Sequence, residues 1–252
     1  MIYITGDCHG DFRRFSTKNF PEQRNMTKDD YVIICGDFGG IWFQKGSKKI
    51  KEENYWLDWL NSKPFTTLFV CGNHENFTRL YQFPVEEWNG GRVHRVRDSI
   101  FHLMRGEIFE IGEKAIFAFG GAASHDIADG IIEMNDDWKK KANKWYREGK
   151  MFRVNHLSWW EQELPTEEEM MNGMKNLDRV GRKVDYIITH SLYSAFVKNV
   201  GYGLYKEDKL TDYLEEVKNS VEYTKWFCGH YHVDRDLNHR DSILYEKVVR
   251  VN

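Results

Sequence analysis

Five short runs rich in β-branched and aromatic residues each lead into residue types that bind metals. Ile2 to Thr5 runs into Gly6-Asp7-Cys8-His9-Gly10, and Tyr31 to Cys35 into Gly36-Asp37. Thr66 to Cys71 runs into Gly72-Asn73-His74-Glu75, Asp185 to Thr189 into His190, and Lys225 to Cys228 into Gly229-His230-Tyr231-His232. Open α/β sheets hold their ligands in the crevice beyond the carboxyl ends of the strands. A chain that repeats this pattern is constrained to an α/β fold in which loops distant in sequence converge on one site. A glycine precedes Asp7, Asp37, Asn73 and His230, and its backbone freedom is expected to turn the chain sharply at the sheet edge.

Helical patterns alternate with these runs. Trp56, Trp59 and Leu60 recur at helical spacing, as do Leu210, Tyr213, Leu214 and Val217, and each stripe is expected to pack on a sheet. Thr166 and Glu169, behind Pro165, have the spacing of a capping box and predict a helix whose Met170, Met171 and Met174 enter the core. Ile100 to Met104, Glu107 to Ile111 and Ala115 to Phe119 follow one another through short Gly-containing turns, which predicts an antiparallel meander. Residues 125–165 lack strand periodicity and are rich in charge and tryptophan. They read as an insertion, a cap or rim, within a single domain spanning 1–252, since no repeat or Pro- or Ser-rich linker divides the chain.

Charge and cysteine usage narrow the function. The net charge of −3 lacks the basic excess of a nonspecific nucleic-acid binder, so charge does not indicate such a partner, although a local patch would allow one. Apolar runs fall far short of the ~18 residues that span a bilayer, so no membrane partner is expected. Cys8, Cys35, Cys71 and Cys228 form no CxxC pair, and reduced, buried thiols at strand ends are expected. With a strand-like run already at Ile2, no targeting segment is expected and the chain reads as cytoplasmic. The oligomeric state is not encoded in any pattern of this kind.

The donors at the strand ends are carboxylate, imidazole and amide oxygen, a set suited to Mn, Fe, Zn or Ni rather than to a thiolate-selected metal. Seven such residues exceed one tetrahedral sphere. Two ions about 3.5 to 4 Å apart, sharing a carboxylate, would use them all. Two divalent ions against Asp7, Asp37 and a bridging hydroxide leave roughly one positive charge, which favours an anionic phosphate.

In this order, GDxH, GD, GNHE, a lone TH and GHxH resemble the motifs of the calcineurin-like metallophosphoesterase superfamily. The resemblance implies two mixed β-sheets packed as a sandwich and flanked by helices. It implies one metal held by Asp7, His9, Asp37 and His232, and a second held by Asp37, Asn73, His190 and His230, with Asp37 bridging. It further implies hydrolysis of a phosphoester by a metal-bound hydroxide, with His74 protonating the leaving oxygen. The chain departs from the protein Ser/Thr phosphatase branch at two points. Asp37 is followed by Phe38-Gly39-Gly40-Ile41-Trp42 in place of an Asp-Arg-Gly that supplies a phosphate-gripping arginine, and His190 by Ser191-Leu192 in place of Gly-Gly.

These departures favour a small phosphodiester or nucleotide, with phosphomonoester hydrolysis, protein phosphatase activity included, as the alternative. A catalytically silent scaffold that keeps the fold for protein binding is the rival from another class. Substrate-contact candidates are Asn73, Arg79, Trp42 and His125, although for Arg79, as for Arg105, a surface ion pair is the simpler role. Glu75 is a candidate to orient His74 or to complement a helix dipole, and Asp11 to cap a turn. His94, His102, His156 and His239 lie outside the motifs and are assigned structural or solvated roles.

Overall fold

The computed structural model describes residues 1–200 and 205–251. Its first sheet contains β1 (Ile2–Thr5), β2 (Tyr31–Ile34), β3 (Thr66–Phe69), β4 (Val85–Trp88), β5 (Gly91–Arg97), β6 (Ile100–Leu103) and β15 (Val248–Val251), in the order β15-β1-β2-β3-β6-β5-β4. Strands β1, β2, β3 and β6 run parallel, with antiparallel strands at both margins. The second sheet contains β7 (Glu107–Ile111), β8 (Lys114–Phe119), β11 (Lys183–Thr189), β12 (Glu222–Cys228), β13 (Arg235–Asp236) and β14 (Asp241–Ile243), in the order β13-β14-β12-β11-β8-β7. Strands β8, β11, β12 and β14 are parallel there. The expected sandwich of two mixed sheets is thus the observed architecture.

The sheets bury one face against each other. Ile4, Ile33, Leu68 and Leu103 of the first meet Phe109, Ile116, Ile188 and Phe227 of the second. Helices cover the outer faces, as the apolar stripes required. In α1 (Ile50–Asn61), Leu57 and Leu60 pack with Val32, Ile34 and Phe69. On the other side, α4 (Glu167–Arg179) contributes Leu177, α5 (Ser194–Val200) Phe196 and Val197, and α6 (Lys209–Ser220) Leu210 and Leu214. Thr166 and Glu169 close both bonds of the capping box that opens α4. Met170 and Met174 pack against the core, whereas Met171, 63% exposed, points to water. The expected helical period put three methionines inside, but i and i+4 share a face and i+1 does not.

The meander is a second correction. Strand β6 pairs with β3 and β5 in the first sheet, while β7 and β8 form a hairpin in the second. Between β6 and β7 the chain crosses from one sheet to the other, and a short turn suits a crossing as well as a hairpin. Residues 125–165 are also less irregular than expected: β9 (Gly130–Ile132) and β10 (Phe152–Val154) pair in parallel, with α3 (Trp138–Arg147) between them. All four cysteines are free and buried. Among the described residues no helix is long and apolar enough to cross a membrane.

A buried pair away from the strand ends makes stability depend on pH. His94 and His102 face each other across β5 and β6, Nδ1 to Nδ1 at 3.0 Å, beside Tyr81 and Arg105. One ring donates and the other accepts, so the pair suits the neutral form of both. Burial pushes His94 down to about 4; burial, together with His94 and Arg105, pushes His102 well below its ordinary value. Between the ordinary value near 6.5 and these lowered ones, the unfolded chain binds more protons, so stability is full above about pH 6.5 and is lost as pH falls through about 4. Each histidine is expected to contribute up to about 1.4 kcal/mol per pH unit across that window. Urea midpoints at pH 7, 6 and 5 should fall more steeply for the wild type than for a His94→Leu/His102→Leu variant. Parallel slopes would show that the pair does not carry the effect.

Candidate metal centre

The parallel strands of both sheets deliver their carboxyl ends to the same edge of the sandwich. Asp7 and His9 follow β1, Asp37 follows β2, and Asn73 and His74 follow β3. From the second sheet, His190 follows β11, and His230 and His232 follow β12. The glycines before these residues act differently from the expectation. Only Gly36 of the four has a positive φ, +89°; Gly6, Gly72 and Gly229 serve close approach instead. A Cβ on Gly72 would lie 2.0 Å from Asp37 Oδ1, and one on Gly229 2.1 Å from Asp7 Oδ1. The left-handed turns fall on the candidate donors themselves: His9 (φ 48°), Asp37 (44°), His230 (69°) and His232 (51°). Such conformations cost of order 1–3 kcal/mol each and persist where the surroundings over-determine them.

Two sets of donors meet there. In the first, His9 Nε2 and His232 Nε2 are 3.1 Å apart. They lie 3.7 and 3.1 Å from Asp7 Oδ2, and His9 Nε2 lies 3.8 Å from Asp37 Oδ2. One ligand atom from each of Asp7, His9, Asp37 and His232 falls within 4.8 Å of all the others. In the second set, His190 Nε2 stands 3.3 Å from Asn73 Oδ1 and 3.3 Å from Asp37 Oδ1, with the His230 ring 4.9 Å from the His190 ring. The two oxygens of buried Asp37 therefore face different sets.

Hydrogen bonds fix the orientation of these donors. His190 Nδ1 donates to Cys35 O at 2.8 Å, which turns Nε2 toward Asp37 and Asn73. Asp7 Oδ1 accepts from His230 N and Asp37 Oδ1 from His74 N. Asn73 Nδ2 donates to Ser124 Oγ at 3.4 Å, and Ser124 in turn donates to buried Glu163, leaving Asn73 Oδ1 to face the cluster. Buried Asp7 Oδ2 meets no backbone or fixed side-chain donor among the described residues, only the imidazoles of His232 at 3.1 Å and His9 at 3.7 Å, a costly arrangement for a carboxylate unless a cation joins them. The donor set thus fits a divalent cation of the Mn, Fe, Zn or Ni type.

The electrostatics point the same way. Burial alone would raise Asp37, but His190 and neighbouring histidines hold its carboxyl well below the usual range. Burial alone would lower His190, yet Asp37 and Asp7 raise it to about 9. A proton on His190 occupies charge that a cation would otherwise supply, so a metal held by this set would release it. His230 and His9 are lowered, chiefly by burial, which favours the neutral form that a metal ligand needs. His232, more exposed, is raised by its hydrogen bond to Asp7.

A calcineurin-like phosphoesterase family model matches residues 1–234, a span that includes every one of these donors. The chain belongs to the calcineurin-like phosphoesterase family. The curated relatives include lariat debranching enzymes from Homo sapiens, 22% identical over 92% of this chain and 42% of that protein, and from Drosophila melanogaster, 22% identical over 92% and 42%. Lariat debranching enzyme A of Xenopus laevis is 28% identical over 52% of this chain and 26% of its own length. The chain spans about two fifths or less of the length of these relatives.

Around this candidate centre the remaining residues take varied places. His74 is half-buried, its ring 5.0 Å from His9 and stacked on Trp42 at 5.6 Å. Trp42, Phe43 and Trp56 wall a cavity of about 380 Å³ that His9 and His74 also line. His125 lies at the opposite rim, its ring 6.3 Å from His230, and shares a cavity of about 610 Å³ with Tyr205 and His230. Arg79 is turned to Glu53 at 2.6 Å and Phe43 O at 2.7 Å, which commits its guanidinium to α1 and the loop before it. Arg105 is buried, not a surface ion pair: it binds Glu169 and the carbonyls of Gly120, Gln162 and Glu163. Glu75 takes neither expected role, since its buried carboxylate accepts from Phe38 N and pins the loop after Asp37. Asp11 caps its turn through Arg13 N.

Sequence reasoning missed Arg153, Ser124 and Glu163. Arg153 donates to His74 Nε2 at 2.9 Å. A guanidinium never accepts, so His74 Nε2 is the acceptor and the ring is neutral here. Burial, with the charge of Arg153 among the further causes, pushes His74 down to about 4. The available signal was an arginine between the apolar Phe152 and Val154, a charge placed in a strand.

Proposed function

We propose that this chain hydrolyses a small phosphodiester or a nucleotide at a dinuclear centre. Asp7, His9, Asp37 and His232 would hold one cation, and Asp37, Asn73, His190 and His230 the other, with Asp37 shared. The observation that carries this reading is buried Asp37, whose Oδ2 faces His9 and whose Oδ1 faces His190. When bound, the two ions supply Lewis-acid charge to the phosphoryl oxygens and activate water as a nucleophile. His74, on the edge of the aromatic cavity, is the proposed proton donor to the leaving oxygen, its Nε2 taking a proton from solvent in place of the Arg153 hydrogen bond once the negative charge of the substrate is beside it. Trp42 supports the His74 ring and offers a flat apolar face to a leaving group in the cavity.

Residues 125–165 are proposed as a rim inside one domain, selecting substrate by what they place beside His74 and Asn73. Four buried free thiols support a reducing, cytoplasmic setting. A lariat is the second reading, supported by the names of the relatives.

Reconstitution of metal-stripped protein with Mn, Ni, Zn or Fe tests the proposal. Two ions per chain are expected, with turnover that follows loading and is faster on a phosphodiester reporter than on a monoester. Full loading with two ions and no turnover of either reporter or of a lariat would favour the silent scaffold. Faster monoester turnover would shift the substrate class.

A further inference from the structure

Arg153 sits at the centre of β10 with its side chain 7% exposed. Its Nε donates to Asp126 Oδ1 at 2.7 Å, one terminal nitrogen to Ser158 O at 3.2 Å, and the other to His74 Nε2 at 2.9 Å. The first two bonds lock the plane of the guanidinium. The third aims its remaining edge at the neutral imidazole next to the metal centre. That terminal nitrogen carries two N–H groups, so one remains to donate while neutral His74 accepts the other, and both are released once His74 Nε2 carries a proton.

Among the described residues the other arginines around the centre either have buried partners or, as with Arg13, 74% exposed, lie in a surface pair. Arg14 donates to Thr5 Oγ1 and to the carbonyls of Asp7 and Tyr245; Arg13 is paired with Asp11, Arg79 with Glu53, and Arg105 with Glu169. The loop after Asp37 carries no arginine at all. We infer that Arg153, delivered by the 125–165 segment, is the cation that grips the substrate, donating to a nonbridging phosphoryl oxygen beside His74. This rests on the phosphoesterase reading above.

The physical case is preorganisation. A guanidinium already held at Nε and at one terminal nitrogen loses little freedom on binding an oxyanion, and a charge-assisted bond is roughly twice as strong as a neutral one. Asp126, the carboxylate bonded to Arg153, is 44% exposed, so solvent screens it and the cation keeps reach toward an anion in the cleft. Glu163 lies near enough to feel Arg153, but its own oxygens are taken by Ser124.

The test uses the metal-loaded protein and inorganic phosphate as the probe, with calorimetry for binding and a phosphoester reporter for turnover. Arg153→Gln removes the charge and the fork, and because its amide ends about where Arg153 Nε now lies, it keeps a donor for Asp126 but no longer reaches His74. It is expected to weaken phosphate binding at least about 10-fold and to lower kcat/KM by about 10²- to 10³-fold, the range for one lost oxyanion donor, with metal content and Tm unchanged. Arg153→Lys should recover part of the phosphate affinity. Asp126→Asn, which leaves the charge in place, should cost less than Arg153→Gln. Phosphate affinity within twofold of wild type in folded, metal-loaded Arg153→Gln overturns the assignment. Should that variant not fold, Arg153→Lys decides it: a severalfold weaker affinity supports the fork, and unchanged affinity overturns it. A wild type that binds phosphate through Arg153 yet turns over no ester would sink the phosphoesterase reading and leave the anion site standing. An active wild type indifferent to Arg153 would do the reverse.

Discussion

Asp37→Asn is expected to damage both cation sites together and to lower turnover by roughly 10³-fold or more. Loss of a partner one shell out already costs about 10- to 100-fold in metal affinity or activity, and this carboxylate faces both donor sets directly. Asparagine keeps an oxygen to accept the His74 N–H that Asp37 Oδ1 now accepts at 2.8 Å, so the loop retains its shape and the change is one of charge. Metal analysis should find fewer than two ions per chain, and added metal should no longer raise Tm as it does for the wild type, because stabilisation by a ligand tracks its affinity. His232→Ala makes the contrast: His232 belongs to the first set alone and is half-exposed, so mainly one ion should be lost. An Asp37→Asn protein with two ions at wild-type affinity and full turnover would show that Asp37 is not shared.

The centre was legible because chemistry forces residue types there. A carboxylate or imidazole immediately after an apolar strand-like run has few structural uses, and the motifs appear in chain order with their strands parallel, so the ends had to share an edge. Strands β4 and β5 left no such mark. Val85–Trp88 reads Val-Glu-Glu-Trp, and β5 carries three arginines, because margin strands show one face to water and need no apolar run. The crossing between β6 and β7 was hidden for another reason: Met104 to Gly106 makes a compact turn in either topology, and only the sheet partners decide which.

The glycines meet a different need from the one their sequence positions suggest. A sequence shows that a residue without a Cβ is needed, not whether the need is angle or space. At Gly72 and Gly229 the need is space, since the carboxylates of Asp37 and Asp7 lie where a Cβ would be. The unusual angles sit on His9, Asp37, His230 and His232, residue types chosen for their donors despite the conformation. Strain therefore concentrates on the candidate ligands, held by bonds such as His230 N to Asp7 Oδ1. Arg153 stayed invisible because its partner, His74, lies 79 residues away and its strand has only three residues.

Replacing His74 separates acid catalysis from binding. His74→Asn should leave metal content nearly intact, since His74 belongs to neither donor set, and its backbone N–H still reaches Asp37. Asparagine has no proton to give. On esters with poor leaving groups, turnover is expected to fall by about 10²- to 10⁴-fold, the usual range for a lost general acid. On activated aryl esters the leaving oxygen departs as an anion without help, so the loss should be much smaller. The measurement is kcat/KM across leaving groups of increasing basicity: the variant should show the steeper dependence. Asparagine also removes the acceptor that Arg153 now meets at 2.9 Å, which frees the guanidinium for phosphate and should leave KM little changed. Equal losses on activated and unactivated esters would place His74 in binding, because a group that only positions phosphate is indifferent to what leaves.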